Sequence, residues 1–151
     1  MKLTFPTQEE FYRVWQLDEA NMNTMQGEIR LDLPRLQVSV KLNDDTFVGS
    51  FLLFNIDKEN HKAEFGIHIF EPRGTLIAAK AFRKFAKDVF EAFELNRIYA
   101  RIHADNKRSL SCAERIGFEY EGTEKQSLFC CGKFKDVVVM SILKGDFEKK
   151  F

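Results

Sequence analysis

Apolar and polar residues alternate with the period of a β-strand at residues 36–42 and 63–70, and a largely apolar stretch at residues 47–56 lies between them. Runs of Asn, Asp, Lys and Glu at residues 43–45 and 57–60 separate the stretches, and such runs favour turns. Because connections this short join neighbouring strands, the pattern predicts an antiparallel β-meander.

A helical period replaces the alternation over residues 75–94, where apolar residues recur at spacings of three and four. The members of this stripe are Ala78, Ala79, Phe82, Phe85, Ala86, Val89 and Phe93. The stripe predicts a long amphipathic helix whose phenylalanines pack in the core. A strand expected at residues 97–103 should lie parallel to strand 63–70, because strand–helix–strand connections are right-handed crossovers.

The N-terminal part of the chain carries helix signals. Residues 7–10, Thr-Gln-Glu-Glu, have the form of a capping box, which predicts a helix from Gln8 toward Leu17. A second helical segment is expected within residues 18–30, and Pro34 marks the break before the meander.

Two late strands, expected at residues 119–127 and 135–143, complete a mixed sheet. The expected fold is therefore α/β with three layers, built on a central, mostly antiparallel sheet that contains one parallel strand pair. No repeat, low-complexity stretch or linker interrupts residues 1–151, so we expect a single domain.

The composition excludes several classes of partner. Basic and acidic residues balance at 23 each, which leaves no electrostatic footprint for nucleic acid or an anionic membrane. No apolar run reaches ~20 residues and the N-terminus lacks a signal-peptide core, so we expect a cytoplasmic protein. The three cysteines, Cys112, Cys130 and Cys131, show no zinc-site spacing, and we expect reduced thiols and no bound metal.

The junction between strand 63–70 and the long helix is a candidate anion site. Pro72 ends the strand and Gly74 permits a tight turn into the helix. A helix N-terminus presents unpaired N–H groups and the positive end of the helix dipole, where phosphates can bind. Glycine serves the geometry of many such turns that bind nothing, so the junction alone is weak evidence.

A second helix start follows strand 97–103. Asn106 is a good N-cap residue and Ser109 falls at the third helical position. Gly117 is well placed for a left-handed residue after the helix, with Phe118 packing back on it. Two helix N-termini therefore follow two neighbouring strands.

Together these motifs resemble the GNAT family of N-acetyltransferases, and most closely its RimJ/RimL-like branch of ribosomal-protein-alanine acetyltransferases. The likeness runs from about Thr7 to Phe147. Its strongest part is residues 106–122, and residues 132–143 are similar to the Gly-x-x-x-Asp final strand of that branch. The resemblance implies acetyl-coenzyme A as cosubstrate, held where the two parallel strands splay apart.

The resemblance implies that three groups of residues bind acetyl-coenzyme A. Main-chain groups of strand 63–70 contact the thioester and the pantetheine, and the loop and helix start that follow this strand contact the pyrophosphate. The second helix start contacts the pantetheine arm. These residues are His68, Ile69, Phe70, Arg73, Gly74, Thr75, Leu76, Ile77, Ala78, Asn106 and Ser109.

The resemblance also suggests catalytic residues. Glu64 matches the position where some relatives carry a general-base glutamate, and a solvated strand-end carboxylate is the alternative. Because side chains alternate along a strand, Glu64, Gly66 and His68 share one face, the candidate acceptor face. His68 is either a second base or a structural residue, and Ser109 either contacts the cosubstrate or only satisfies a backbone donor.

Two positions depart from the family pattern. Leu76 stands where the family has the central glycine of its phosphate loop, and a side chain there crowds the pyrophosphate surface. Ala113 stands where many relatives carry a tyrosine that protonates the departing thiolate, although the ribosomal branch often lacks it.

The acceptor expected from the resemblance is a primary amine, either a protein N-terminus or a small amine, acetylated by direct attack on the thioester. The alternative is a GNAT-fold protein that binds coenzyme A or a protein partner without turnover. The chain is expected to be a monomer or a homodimer.

Overall fold

The computed structural model describes residues 1–10, 36–69 and 74–150. Its strands form one seven-stranded sheet in the order β1-β2-β3-β4-β5-β7-β6. Every neighbouring pair is antiparallel except β4 and β5, which are parallel as predicted. The strands are β1 (Lys2–Thr4), β2 (Leu36–Lys41), β3 (Phe47–Asp57), β4 (Lys62–Ile69), β5 (Arg97–His103), β6 (Glu119–Cys130) and β7 (Lys133–Leu143).

The helices whose two ends fall in the described ranges are α1 (Gly74–Ala92), α2 (Lys107–Ile116) and α3 (Lys144–Lys150). Residues 8–10 are also helical. They carry the predicted capping box, in which the Glu10 N–H donates to Thr7 Oγ1 (3.2 Å) and the Thr7 N–H donates to Glu10 Oε2 (3.0 Å). The remainder of that helix, the helical segment at 18–30 and the break at Pro34 lie outside the described residues.

Aromatic side chains between the sheet and α1 form the centre of the core. Phe51 of β3, Phe65 of β4 and Phe82 and Phe85 of α1 are at most 4% exposed, with ring centroids 5.1–6.4 Å apart. Phe118, after α2, stacks on Phe65 at 5.7 Å. The predicted phenylalanine stripe is therefore confirmed as core, and it fixes both α1 and α2 against the same sheet face.

The end of α1 differs from the prediction. The helix ends at Ala92 rather than at Glu94, because Glu94 adopts a left-handed conformation with φ 53°. The N–H of Leu95 then bonds to the carbonyl of Phe90 (3.0 Å). A non-glycine residue closes this helix, which propensity alone does not indicate.

The last two strands are longer than predicted and meet in a two-residue turn. Cys131 and Gly132 have φ values of 55° and 75°, the two positive angles of a type I′ hairpin. Two short elements were not predicted: β1 has three residues, and α3 is a highly charged helix in which Phe147 is the buried residue. Within the described ranges, no helix combines the length and apolarity needed to cross a membrane.

Candidate active site

The parallel strands β4 and β5 separate toward their C-terminal ends. Their register pairs are Lys62 with Arg97, Ala63 with Ile98 and Glu64 with Tyr99, whereas β4 continues to Ile69 and β5 to His103. Beyond Glu64, β4 pairs only with β3, and beyond Tyr99, β5 pairs only with β7. The sheet therefore has a wedge-shaped opening whose apex lies at Glu64.

Main-chain groups of β4 face this opening. The Arg97 N–H donates to the carbonyl of His61 (3.1 Å), so the odd-numbered residue before β4 directs its backbone toward β5. Backbone direction alternates along a strand, and β4 pairs with β3 without interruption from Phe65 to Ile69. Ile67 and Ile69 therefore present N–H and C=O groups at the edge that β5 leaves unpaired, whereas His68 directs its backbone toward β3.

Two helix N-termini lie at the open end of the wedge. Helix α1 follows β4 after four residues, and α2 follows β5 after three. Neither helix has an acidic residue in its first turn, and α2 opens with Lys107 and Arg108. The dipoles and these basic side chains make this end of the opening favourable for an anion.

The loop predicted to hold the pyrophosphate is only partly described. Phe70 and Arg73 lie outside the described residues, and Gly74 is the first residue of α1. Ile77 is half-buried against the core, and Ala78 is fully buried in it. Since Ala78 is the fifth helical residue, its N–H lies beyond the four that lack a partner within a helix.

Asn106 caps α2 as predicted. Its Oδ1 accepts the Ser109 N–H (3.1 Å), and Gly117 closes the helix with φ 110°. The cap occupies the Oδ1 of Asn106 and the N–H of Ser109, so any contact with a ligand falls to the Asn106 amide nitrogen and the Ser109 hydroxyl. Ala113 is 6% exposed and packs in the core.

Asp136 ties the loop before α2 to the late hairpin. Its carbonyl accepts the Ala104 N–H (3.0 Å), and its carboxylate accepts the Gln126 N–H (2.8 Å). Asp136, the aspartate of the predicted Gly-x-x-x-Asp motif that starts at Gly132, thus holds the loop before α2 in place.

Glu64 is a buried carboxylate, not the solvated strand-end residue of the alternative reading. It is 3% exposed, and its Oε2 accepts a hydrogen bond from Asn55 Nδ2 (2.9 Å). Asn55 belongs to β3 and was not predicted as a site residue. Asparagine tolerates a left-handed conformation, but nothing in the local sequence indicates that a strand irregularity falls at this residue.

The other members of the predicted acceptor face have different surroundings. A Cβ added to Gly66 would lie 3.0 Å from Phe54 Cε2, so glycine leaves room for the Phe54 ring here. His68 is half-buried opposite Ser50, which is fully buried. At about 3.3 Å per residue, His68 lies roughly 13 Å along β4 from Glu64. The structure therefore brings Glu64 and Asn55 together but leaves His68 apart from them.

Cys112 and Cys130 lack the features of a catalytic nucleophile. None of the three described cysteines forms a disulfide, and burial raises the pKa of the Cys112 thiol. A hydrogen bond with Cys131 raises the pKa of Cys130, whose sulfur lies 3.4 Å from that of its neighbour. The thiols of Cys112 and Cys130 are thus less ionised than that of an ordinary cysteine. Among the residues that the structure describes, no three His, Cys, Asp or Glu side chains form a group that could hold a metal.

Comparisons with known proteins agree with this geometry. Residues 4–119 match the acetyltransferase (GNAT) domain family. The protein YdaF of Bacillus subtilis (strain 168), which is named as a ribosomal N-acetyltransferase, is 38% identical over 71% of this chain and 59% of its own length. The uncharacterized N-acetyltransferase p20 of Bacillus licheniformis is 29% identical over 75% of this chain and 64% of its own length.

The chain thus spans less than two thirds of the length of these curated relatives. Its fold is also that of the spermidine N-acetyltransferase from Vibrio cholerae, solved in complex with CoA and spermine, with a TM-score of 0.78 and 19% identity over 97% of both chains. The match of the family over more than half of the sequence, together with this fold, shows that the chain belongs to the GNAT acetyltransferase domain family.

Proposed function

We propose that the protein is an acetyl-coenzyme A-dependent N-acetyltransferase that acetylates a primary amine by direct attack on the thioester, within a single domain comprising residues 1–151. The observation that carries the proposal is the wedge between β4 and β5, with a buried carboxylate at its apex and two helix N-termini at its open end.

The wedge and the two helix N-termini fit acetyl-coenzyme A, which is a long, anionic thioester. The first-turn N–H groups of α1, at Gly74, Thr75 and Leu76, together with Arg73, bind the pyrophosphate. The free backbone edge at Ile67 and Ile69 bonds to the pantetheine amide and the thioester carbonyl, and the amide nitrogen of Asn106 and the hydroxyl of Ser109 contact the arm from the α2 side. This assignment moves the main-chain contacts expected at His68 to its odd-numbered neighbours.

Glu64 acts as the general base in this mechanism. An amine is protonated at neutral pH and must lose a proton before or during attack, and a carboxylate at the apex can accept it. When the amine attacks the thioester carbon, the backbone N–H groups of β4 stabilise the negative charge that develops on the carbonyl oxygen. The leaving thiolate needs little help, because a thiol with a pKa of ~8.5 departs readily, so Ala113 is compatible with turnover.

The acceptor is a protein N-terminus or a small amine. The likeness to YdaF supports a RimJ/RimL-like activity on a ribosomal protein, and the shared fold with a spermidine N-acetyltransferase supports a small polyamine. The part of the acceptor face around the half-buried His68 then contributes to acceptor binding, and the enzyme works as a monomer or a homodimer.

A coenzyme A release assay tests the proposal. The wild-type chain and the Glu64→Gln variant are offered acetyl-coenzyme A with a panel of peptides bearing free N-termini and a panel of small amines. We expect release with at least one panel, and a loss of about 100-fold or more in Glu64→Gln, the usual range for a general base.

Two other results are informative. Tight acetyl-coenzyme A binding with no release on either panel would favour the protein that binds without turnover, for which Leu76 and Ala113 are the sequence evidence. Release that is unaffected by Glu64→Gln would keep the acetyltransferase but remove the base from Glu64.

A further inference from the structure

Asn55 lies at an irregularity in β3, next to the predicted base. Phe54 pairs with Glu64 and Asp57 with Lys62, so three residue steps on β3 oppose two on β4. One extra residue therefore forms a β-bulge at this point. Asn55 has φ 46°, in the left-handed region that few non-glycine residues enter.

The bulge sends the Asn55 side chain across to Glu64. Its Nδ2 donates to Glu64 Oε2 at 2.9 Å, although Asn55 is itself exposed and the glutamate is buried. Asn55 also lines an open surface cavity of about 870 Å³ together with Tyr99, the β5 residue that pairs with Glu64. The amide thus connects an accessible surface to the carboxylate at the apex of the wedge.

We propose that Asn55 is a positioning residue for acetyl transfer, an inference that rests on the proposed function. Its amide holds one oxygen of the Glu64 carboxylate and orients the other, Oε1, toward the attacking amine. A carboxylate has two equivalent oxygens and a rotatable side chain, so a fixed donor on one oxygen restricts where the other can accept a proton.

The alternative is that Asn55 serves only the backbone of the bulge. Asparagine is tolerated at positive φ, but glycine is tolerated there at least as well. Asn55→Gly therefore keeps the backbone requirement and removes the amide. A backbone role predicts that this variant is as active as the wild type, whereas a positioning role predicts that it is not.

The test measures kcat and KM for the wild type, Asn55→Gly, Glu64→Gln and the double variant, with the best acceptor from the panels. We expect Asn55→Gly to lower kcat about 10-fold to 100-fold, the value of one hydrogen bond to a charged group. KM for acetyl-coenzyme A should stay close to wild type, whereas the unfolding temperature should fall, because a buried carboxylate loses a hydrogen-bond donor. The double variant should be no slower than Glu64→Gln, because the amide acts through that carboxylate.

Asn60→Gly is the matched control. It removes another exposed asparagine amide from the same hairpin, one that bonds to Asp57 rather than to Glu64 (2.8 Å). We expect wild-type kcat in this variant.

Three outcomes overturn the inference. Full activity in Asn55→Gly, with Glu64→Gln inactive, would leave the base in place and show that the amide has no positioning role. A further loss in the double variant would show that Asn55 acts independently of Glu64. Full activity in Glu64→Gln would overturn the base assignment itself, and the positioning role with it.

Discussion

Asn106 has two roles at the start of α2, one toward the helix and one toward the ligand of the proposed function. Its Oδ1 accepts the Ser109 N–H, which leaves its amide nitrogen for the ligand in our assignment. The two roles use different atoms of one side chain, so replacing Asn106 by alanine removes both. A control variant that loses only a helix cap then separates the two effects.

Asn106→Ala should cost roughly 1 kcal/mol of folding stability through loss of the cap. We also expect acetyl-coenzyme A affinity, measured by calorimetry, to fall by more than this loss explains. Thr7→Ala is the matched control, because it removes a cap of the same kind from the helix that begins at residue 8. Equal affinities in Asn106→Ala and Thr7→Ala would leave Asn106 with the cap alone.

A substitution at Leu76 tests the phosphate site by an expected gain, rather than a loss, of acetyl-coenzyme A affinity. It is the third residue of α1, at the position where the family has a glycine. Leu76→Gly should lower stability by up to ~1 kcal/mol, because glycine is a poor helix former. It should also tighten acetyl-coenzyme A binding by removing a side chain from the pyrophosphate surface.

Lys87→Gly, at an exposed position farther along α1, should show the stability loss without the gain in affinity. If calorimetry finds that Leu76→Gly binds no more tightly than wild type, Leu76 does not obstruct the site.

At the scale of elements, ion pairs connect β5 to β6 across β7. Arg97 of β5 makes a bidentate contact with Glu121 of β6, with 2.8 Å between Nη2 and Oε2, and Ser141 of β7 also donates to this carboxylate. Arg101 makes a second ion pair with Glu124, in which Nε (3.0 Å) and Nη2 (2.7 Å) both donate to Oε1. These bridges reinforce the strands that carry one wall of the wedge.

The Glu121 contact makes stability depend on acid pH. The hydrogen bond from Arg97, followed by that from Ser141, lowers the pKa of Glu121 from 4.5 to about 2. A lowered pKa in the folded state means that the stabilisation is complete above the unfolded value and is lost as pH falls from 4.5 through about 2. Wild type should therefore be more stable than Glu121→Gln at neutral pH.

The difference in unfolding temperature between the two proteins should shrink steadily on acidification across this range. Glu148→Gln, which removes an exposed carboxylate 4.0 Å from Lys144, should follow the wild type. A gap between wild type and Glu121→Gln that stays constant down to about pH 2 would contradict the assigned cause.

The sequence predicts helices and strands correctly where neighbouring residues determine the conformation. Strand 97–103 was predicted with its observed bounds, and the ends of α2 followed from Asn106 and Gly117, because caps are local chemistry. The bulge at Asn55 could not be predicted, since a shift of one residue depends on how two strands align. The ion pair between Arg97 and Glu121 also depends on how strands align in the sheet. It could not be predicted, because the two residues lie 24 positions apart in the sequence.

At the scale of the whole molecule, one aromatic cluster sets the geometry of the site. Phe65 lies on β4, Phe82 and Phe85 lie in the middle of α1, and Phe118 follows the C-terminal end of α2. Their ring contacts therefore hold both helices against β4. The sequence indicated that these residues are buried, but not that Glu64 lies at the apex, because the point where two parallel strands separate is a property of the assembled sheet.

Amide chemical shifts on addition of acetyl-coenzyme A provide the most direct test of the central claim that the wedge between β4 and β5 holds this cosubstrate. We predict that, at saturation, the largest changes cluster at Ile67, Ile69, residues 74–77 and residues 106–109. The tip of the β6–β7 hairpin, residues 129–134, should change little. Saturable binding with the largest changes elsewhere, or no change at any amide, would contradict the account.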